Sequence, residues 1–181
     1  MNTKDIWEKV YGVSSRILIE PHVVNYIPKL NKRNKTTDTV NIGLLGDLTA
    51  HKGSSIVREM LGEISQQQLN VRIVLIGNDY SEMPNSAHFK TTGRYEQSEL
   101  PSLTLKNDID IYFIPSIWPE TFSFTTEEAI KMDIPVACFD IGAPAERVVV
   151  YNKGIVLYES NVRYILEQIL EIGRASCRER V

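Results

Sequence analysis

Apolar and polar residues alternate in regular blocks along the chain from residue 40 onward. Nearly continuous apolar runs predict strands buried on both faces; the runs are VNIGLLG, VRIVLIG, DIYFIPS, PVACFD and GIVLY. A shorter strand is predicted at HFKTTG. Helices are predicted between them, through SSIVREMLGEISQQQL and SELPSLTLK, after DIYFIPS, and from Asn161. Strands alternating with helices predict βαβ units with right-handed crossovers. The fold class is therefore α/β, a Rossmann-like doubly wound parallel sheet.

The stretch 115–147 carries the strongest indication of a site. Glu120 and Glu128 lie eight residues apart, on either side of the passage from the strand DIYFIPS into the next helix. A small-residue turn at Gly142 and Ala143 follows the next strand. Ligands of such sheets bind outside the carboxyl ends of the strands, so this edge is the predicted binding site.

The helix containing Glu128 has a predicted inward face and a predicted solvent face. At 100° per residue, one arc holds Phe124, Thr125, Glu128, Ala129 and Met132. Glu127 and Lys131 lie outside that arc, at the spacing of a solvent-facing ion pair. An inward carboxylate needs a partner, so Glu128 either bonds an internal backbone amide or an Arg, or contacts a ligand.

Composition narrows the class of protein. The chain has 181 residues, 43% of them hydrophobic, and a net charge of −3, which suits one domain and disfavours broad nucleic-acid binding. The N-terminus lacks a signal-peptide apolar region, and Cys138 and Cys177 form no disulfide framework or metal spacing. A cytoplasmic location is predicted. Residues 1–39 are predicted to be an interdomain connecting segment, in which SRILIE is a candidate strand, and residues 40–170 the binding domain.

Two further loops at the same sheet edge carry candidate chemistry. GDLTAHKGSS offers Gly46 and Lys52 before a helix capped by Ser54 or Ser55, which suits a phosphate but also fits ordinary capping. TTGRYEQSEL offers Gly93, Arg94 and Tyr95, which suit a nucleobase or a plain surface turn.

Two features of the sequence are not predicted to form a site. Asp108-Ile109-Asp110 resembles a metal-binding Asp-x-Asp string, but it enters its strand from the amino end, opposite the predicted site. Residues 171–181, EIGRASCRERV, back-translate to a sequence resembling a sequencing adapter read through to its stop codon. We predict that this segment is not native, against the alternative of a basic tail, and that the natural protein is longer.

Taken in order, these motifs resemble the C-terminal, donor-binding domain of retaining glycosyltransferases of the two-domain GT-B type, the glycosyl transferases group 1 family (glycosyltransferase family 4). The resemblance covers about residues 40–157. It rests on GLLGDLTAHKG, on the E-x7-E spacing from Glu120 to Glu128, and on FDIGAPAER. TGRYEQSELPSL and PSIWPETFSFTTEEA look closest to a subgroup associated with rhamnose-containing polysaccharides.

The resemblance implies a role for each matching residue. Lys52, next to the Gly46 loop, would contact the donor diphosphate. The amides at Ser123, Phe124 and Thr125 would bind the same group. Glu128 would accept hydrogen bonds from the ribose, Gly93, Arg94 and Tyr95 would frame the base, and Glu120 would lie near the transferred sugar. The resemblance also implies retention of configuration, no metal and no cofactor.

Two departures from the family pattern bear on donor binding. Asp47 replaces a phosphate-contacting Arg, so we expect its side chain to turn away from the diphosphate or to meet a sugar hydroxyl. Ser123 and Ala143 replace glycines, and a positive φ at Ser123 would strain the loop.

The resemblance further implies partners that this chain lacks. An acceptor domain would precede the segment and bring a glycan or lipid-linked acceptor, with peripheral membrane association of the full-length protein. The fragment is then expected to be inactive alone. The alternatives are a non-catalytic Rossmann nucleotide-binding or interaction module, and a purely structural role for Glu128.

Overall fold

The computed structural model describes residues 8–12, 22–31 and 37–178, with side chains as far as Gly173. Within these residues the six strands form one parallel sheet, in the order β3-β2-β1-β4-β5-β6. The strands are β1 (Val40–Leu45), β2 (Val71–Ile76), β3 (Phe89–Thr91), β4 (Ile111–Ile114), β5 (Val136–Phe139) and β6 (Gly154–Leu157). The strand order reverses between β1 and β4, which is the ligand-binding crevice of this fold class. The predicted fold class is confirmed.

Helices cover both faces of the sheet. They are α1 (Ser54–Gln66), α2 (Leu100–Lys106), α3 (Phe124–Lys131), α4 (Gly142–Val148) and α5 (Val162–Arg178), with a 3-10 turn at Gln97–Glu99 before α2. One core cluster joins α1 and α5 to the sheet, and a second joins α2, α3 and α4 to the opposite face. Among the described residues, no helix combines the length and apolarity needed to cross a membrane.

The apolar periodicity of α1 is confirmed residue by residue. Its buried face includes Ile56, Val57, Met60, Leu61 and Ile64. Each aliphatic side chain removed from water contributes roughly 1.5–3 kcal/mol, so burial of this face accounts for the helix position. The predicted serine cap is wrong, because the N-cap is Gly53 in the left-handed region at φ 78°.

Gly53 also explains how closely the loop after β1 approaches the end of β4. A Cβ at this position would lie 2.0 Å from the carbonyl oxygen of Pro115, a separation that no side chain tolerates. Both the positive φ and the close approach require glycine.

The Asp108-Ile109-Asp110 string has a structural role in the fold. The Asp110 carboxylate Oδ2 accepts a hydrogen bond from the Asn41 backbone N–H at 2.8 Å, and Asn41 Nδ2 donates to the Asp108 carbonyl at 3.1 Å. These bonds tie β1 to the segment before β4 at the amino end of the sheet.

The segments flanking the predicted domain also contact it. Val24 and Ile27 of the predicted connecting segment are buried in the second core cluster, and Leu30 N–H donates to the Met132 carbonyl at 3.0 Å. Helix α5 continues to Arg178, past the predicted native end at residue 170. The candidate strand SRILIE lies outside the described residues.

Candidate active site at the carboxyl edge of the sheet

The loops after β1 and β4 meet through an ion pair. Lys52 Nζ lies 2.5 Å from Glu120 Oε1, with the lysine side chain 42% exposed and the glutamate 12% exposed. The two residues are 68 positions apart in the sequence, and the sequence patterns did not predict their contact. The ion pair brings the predicted phosphate lysine and the predicted sugar-facing carboxylate together.

The loop carrying Glu120 is held in place by the start of α4. The Glu120 carbonyl accepts a hydrogen bond from the Ala143 N–H at 2.9 Å. Gly142 has a φ of 63°, and a Cβ there would lie 2.8 Å from the Glu120 backbone. The predicted small-residue turn is thus the first turn of a helix, which packs directly on the Glu120 backbone.

The N-terminus of α3 faces the loop after β1. Ser123 is the N-cap residue with a φ of −125°, so the strain considered for this position does not arise. Its Oγ accepts a hydrogen bond from Thr126 Oγ1 at 2.9 Å. A small recess is lined by Thr125 of α3 and by Gly46, Asp47 and Lys52 of the loop after β1. Helix N-termini leave N–H groups unpaired and favour anions, so this recess suits a phosphate group.

Glu128 lies one turn into α3 with its side chain buried, at 7% exposure. Oε1 accepts a hydrogen bond from Gln97 Nε2 at 2.9 Å, and Oε2 accepts one from the Tyr95 hydroxyl at 3.5 Å. Burial raises the pKa of the Glu128 carboxyl, and the two hydrogen bonds partly oppose that rise. The inward orientation is confirmed, but the partners are a Gln and a Tyr rather than a backbone amide or an Arg.

The first turn of α3 departs from the predicted arc. Phe124 is 50% exposed, whereas Thr126 is fully buried. Phe124 belongs to neither core cluster. Its ring instead packs edge-on against Phe122 at 4.8 Å and lies 5.7 Å from the ring of His22.

The predicted Glu127–Lys131 ion pair is wrong. Glu127 Oε1 pairs with Arg147 Nε of α4 at 2.9 Å, and its side chain is only 17% exposed. Helix α4 was not predicted, so no cation was expected on that side of α3.

The residues of the predicted base-binding loop take different positions. Gly93 has a φ of 79°, and Arg94 is exposed. The Tyr95 ring packs partly buried against the second core cluster, and burial together with the nearby Glu128 carboxylate raises its pKa. Asp47 is exposed, and its Oδ1 accepts a hydrogen bond from Asn78 Nδ2 at 3.0 Å, so an amide rather than a cation faces it.

Three residues that contribute to the site were not predicted from the sequence. Gln97 and Asn78 have no characteristic spacing, and Arg147 lies on an unpredicted helix. Only Gln97 had a nearby signal, because Glu96 and Glu99 follow the capping-box spacing that the structure shows around the 3-10 turn. Among the described side chains, no group of three or more His, Cys, Asp or Glu residues is arranged to hold a metal ion.

Comparison with protein families and solved structures bears on the fold as a whole. The model of the family described as "Glycosyl transferases group 1" matches residues 27–176. The sequence matches no curated protein.

Several solved structures share the fold at low identity. A variant of S. aureus TarM in a complex that includes UDP is 14% identical with a TM-score of 0.64, over 86% of this chain and 34% of its own. HepE of Anabaena in complex with UDP-glucose is 17% identical with a TM-score of 0.59, over 79% and 43%. The catalytic domain of Arabidopsis thaliana starch synthase IV, bound to ADP and acarbose, is 16% identical with a TM-score of 0.59, over 97% and 36%. The chain spans about a third to two fifths of the length of these proteins.

Proposed function

The chain belongs to the glycosyl transferases group 1 family, and on that premise we propose that it is the donor-binding half of a retaining glycosyltransferase. One observation carries the proposal: Lys52, the N-terminus of α3 and Glu128 share the sheet edge at the strand-order reversal. A nucleoside-diphosphate sugar needs this combination of a cation and free amides for its diphosphate and a carboxylate for its ribose.

The transfer step requires charge stabilisation on both sides of the bond that breaks. When the bond between the anomeric carbon and the diphosphate oxygen breaks, negative charge grows on the leaving group and positive charge on the sugar ring. Lys52 and the amides at Ser123, Phe124 and Thr125 stabilise the leaving diphosphate. Glu120 lies beside the transferred sugar, where its carboxylate stabilises the positive charge. The proposed reaction uses no metal and no cofactor.

Gly46 and the segment Gly93–Tyr95 complete the proposed donor site. Gly46 has a φ of 84°, and a Cβ there would lie 3.3 Å from Thr125 Cγ2, so glycine keeps the loop after β1 close to the start of α3, where the diphosphate would bind. Gly93, Arg94 and Tyr95 border the base. Among the solved complexes, HepE holds UDP-glucose and starch synthase IV holds ADP. We expect the donor of this chain to be a nucleoside diphosphate sugar.

The rest of the reaction belongs to a larger protein. The acceptor, a glycan or lipid-linked sugar, would bind a preceding domain. The product would become part of a surface polysaccharide, and the candidate subgroup of the family is the one associated with rhamnose-containing polysaccharides. We propose a cytoplasmic site of action with peripheral membrane association of that larger protein. This chain alone is expected to bind the donor without transferring it.

Calorimetric titration of the chain with UDP, ADP, GDP and dTDP tests the proposal. We expect one of them to bind, and Glu128→Ala to weaken that binding at least tenfold. A hydrogen bond to a charged group contributes about 1.5–3 kcal/mol, and the ribose of UDP, ADP and GDP offers two such bonds and the deoxyribose of dTDP one. Glu127→Ala is the matched control, with the same change on the same helix, and should bind as the parent does.

Two outcomes would contradict the proposed function. The first is that none of the four nucleotides binds. The second is that Glu128→Ala lowers the free energy of unfolding and leaves nucleotide binding unchanged, as expected if Glu128 is purely structural.

A further inference from the structure

Gln97 makes the shorter of the two hydrogen bonds to the buried carboxylate of Glu128. Its Nε2 lies 2.9 Å from Oε1, whereas the Tyr95 hydroxyl lies 3.5 Å from Oε2. Gln97 stands on the 3-10 turn before α2, 31 residues from Glu128 in sequence. The bond therefore joins two separate elements at the donor edge of the sheet.

The Glu128 carboxylate retains acceptor capacity after both bonds form. An ionised carboxylate offers about four lone-pair sites, two on each oxygen. Gln97 uses one site on Oε1, and Tyr95 uses one on Oε2. One site on each oxygen is left, which matches the two hydroxyl groups of a ribose.

We propose that Gln97 is a positioning residue of the donor site, whose side-chain amide holds the Glu128 carboxylate in the orientation that accepts both ribose hydroxyls. This inference rests on the proposed function and adds a residue to its donor site. Gln97 itself acts through Glu128 rather than through the substrate.

The 3-10 turn does not depend on the Gln97 side chain. Its capping box is formed by Glu96 and Glu99, with the Glu96 N–H donating to Glu99 Oε2 at 2.8 Å. The Gln97 amide is therefore available for Glu128, and loss of the amide should leave the backbone of the turn intact.

The Gln97 bond also favours the ionised form of Glu128. Burial raises the pKa of Glu128, and the Gln97 hydrogen bond is the larger of the two contributions that lower it. The titratable groups around it are Tyr95, Tyr112 of β4 and, next to Tyr95, Asp47. Burial raises the pKa of both tyrosines, so they stay neutral while Glu128 titrates. Removal of the amide should therefore raise the Glu128 pKa further.

The test is the pH dependence of sugar-nucleotide binding by the 181-residue chain. UDP-glucose is the first probe, with ADP-, GDP- and dTDP-sugars in parallel, because their esterified diphosphates do not titrate near pH 6 as a terminal phosphate does. The deoxyribose of dTDP offers Glu128 one hydroxyl instead of two. Affinity is measured from about pH 4.5 to pH 8 and should fall as Glu128 becomes protonated.

Two substitutions should move this profile in opposite directions. Gln97→Met keeps the side-chain volume without the donor, so the midpoint should shift up by about one pH unit. Gln97→Lys keeps a donor and adds a positive charge, so the midpoint should shift down. A purely structural residue would weaken binding at every pH without moving the midpoint.

Control variants separate the possible failures. Glu99→Gln removes a negative charge from the same turn but keeps an oxygen for the capping box, so it should leave the midpoint in place. Glu128→Gln should remove the pH dependence. If it binds as the parent does, or if the parent binds none of the four probes, the proposed function fails, and this inference fails with it. If Glu128→Gln loses affinity but neither Gln97 variant moves the midpoint, the positioning role alone is refuted.

Discussion

The Lys52–Glu120 ion pair predicts opposite effects of two neighbouring substitutions on nucleotide binding. In the protein without donor, Lys52 Nζ is held by Glu120 Oε1 at 2.5 Å. The diphosphate must compete for the same ammonium group. Glu120→Gln should therefore strengthen UDP binding, whereas Lys52→Met should weaken it.

The expected magnitudes follow from exposure. Because the Lys52 side chain is 42% exposed, the ion pair contributes no more than about 1 kcal/mol. Its removal in Glu120→Gln should tighten binding by up to about fivefold. Lys52→Met loses a charged hydrogen bond of about 1.5–3 kcal/mol, less the roughly 1 kcal/mol needed to separate the pair, which gives about 2- to 30-fold weaker binding.

Calorimetric titration of UDP with both variants and the double variant measures these effects. Glu159→Gln removes an exposed carboxylate after β6, at the same sheet edge, and should change the affinity by less than about twofold. The gain from Glu120→Gln should shrink in the Lys52→Met background. An unchanged gain there would indicate general charge repulsion, and weaker UDP binding by Glu120→Gln would refute the competition argument. In the larger enzyme that we propose, Glu120→Gln should abolish transfer.

Three further predictions concern stability, each measured by urea unfolding. Gly142→Ala should lower the free energy of unfolding by about 2 kcal/mol or more, because its φ is 63° and its Cβ would meet backbone at 2.8 Å; a neutral result would refute this. Arg147→Met should destabilise by up to about 1 kcal/mol through loss of the Glu127 ion pair, whereas Lys131→Met should be neutral; equal effects would contradict the pairing. Because the pKa of Glu128 is raised, the folded state binds more protons than the unfolded state in the pH window just above the ordinary glutamate pKa. The free energy of unfolding should therefore fall as pH rises through that window. Glu128→Gln should abolish this fall, and an identical pH profile in the variant would refute the reasoning.

Much of the fold could be predicted because its determinants are local. Five of the six strands are short apolar runs, and the inward face of α1 follows from residues three and four positions apart. The helix α4 was missed because GAPAERV contains Gly and Pro, which favour turns in isolation. Pro144 lies in the first turn, where a missing N–H costs nothing, and the chain remains helical beyond it.

The candidate site was predicted less completely. The patterns placed Glu120, Glu128 and Lys52 at one edge of the sheet, and Glu128 on the inward side of its helix. They did not give the partners of these groups. The Phe124 exposure was also missed, because helical angle alone does not show which side chains the rest of the fold covers.

The sequence by itself determined the order of elements, the parallel sheet and the edge at which the polar loops meet, because these depend on hydrophobic periodicity and chain direction. Tertiary structure alone decided which polar groups pair with one another. Lys52 meets Glu120 across 68 positions, and Gln97 meets Glu128 across 31. Such contacts depend on how loops from different strands converge, and no local spacing encodes that convergence. The chemistry proposed for the site rests on these long-range pairs.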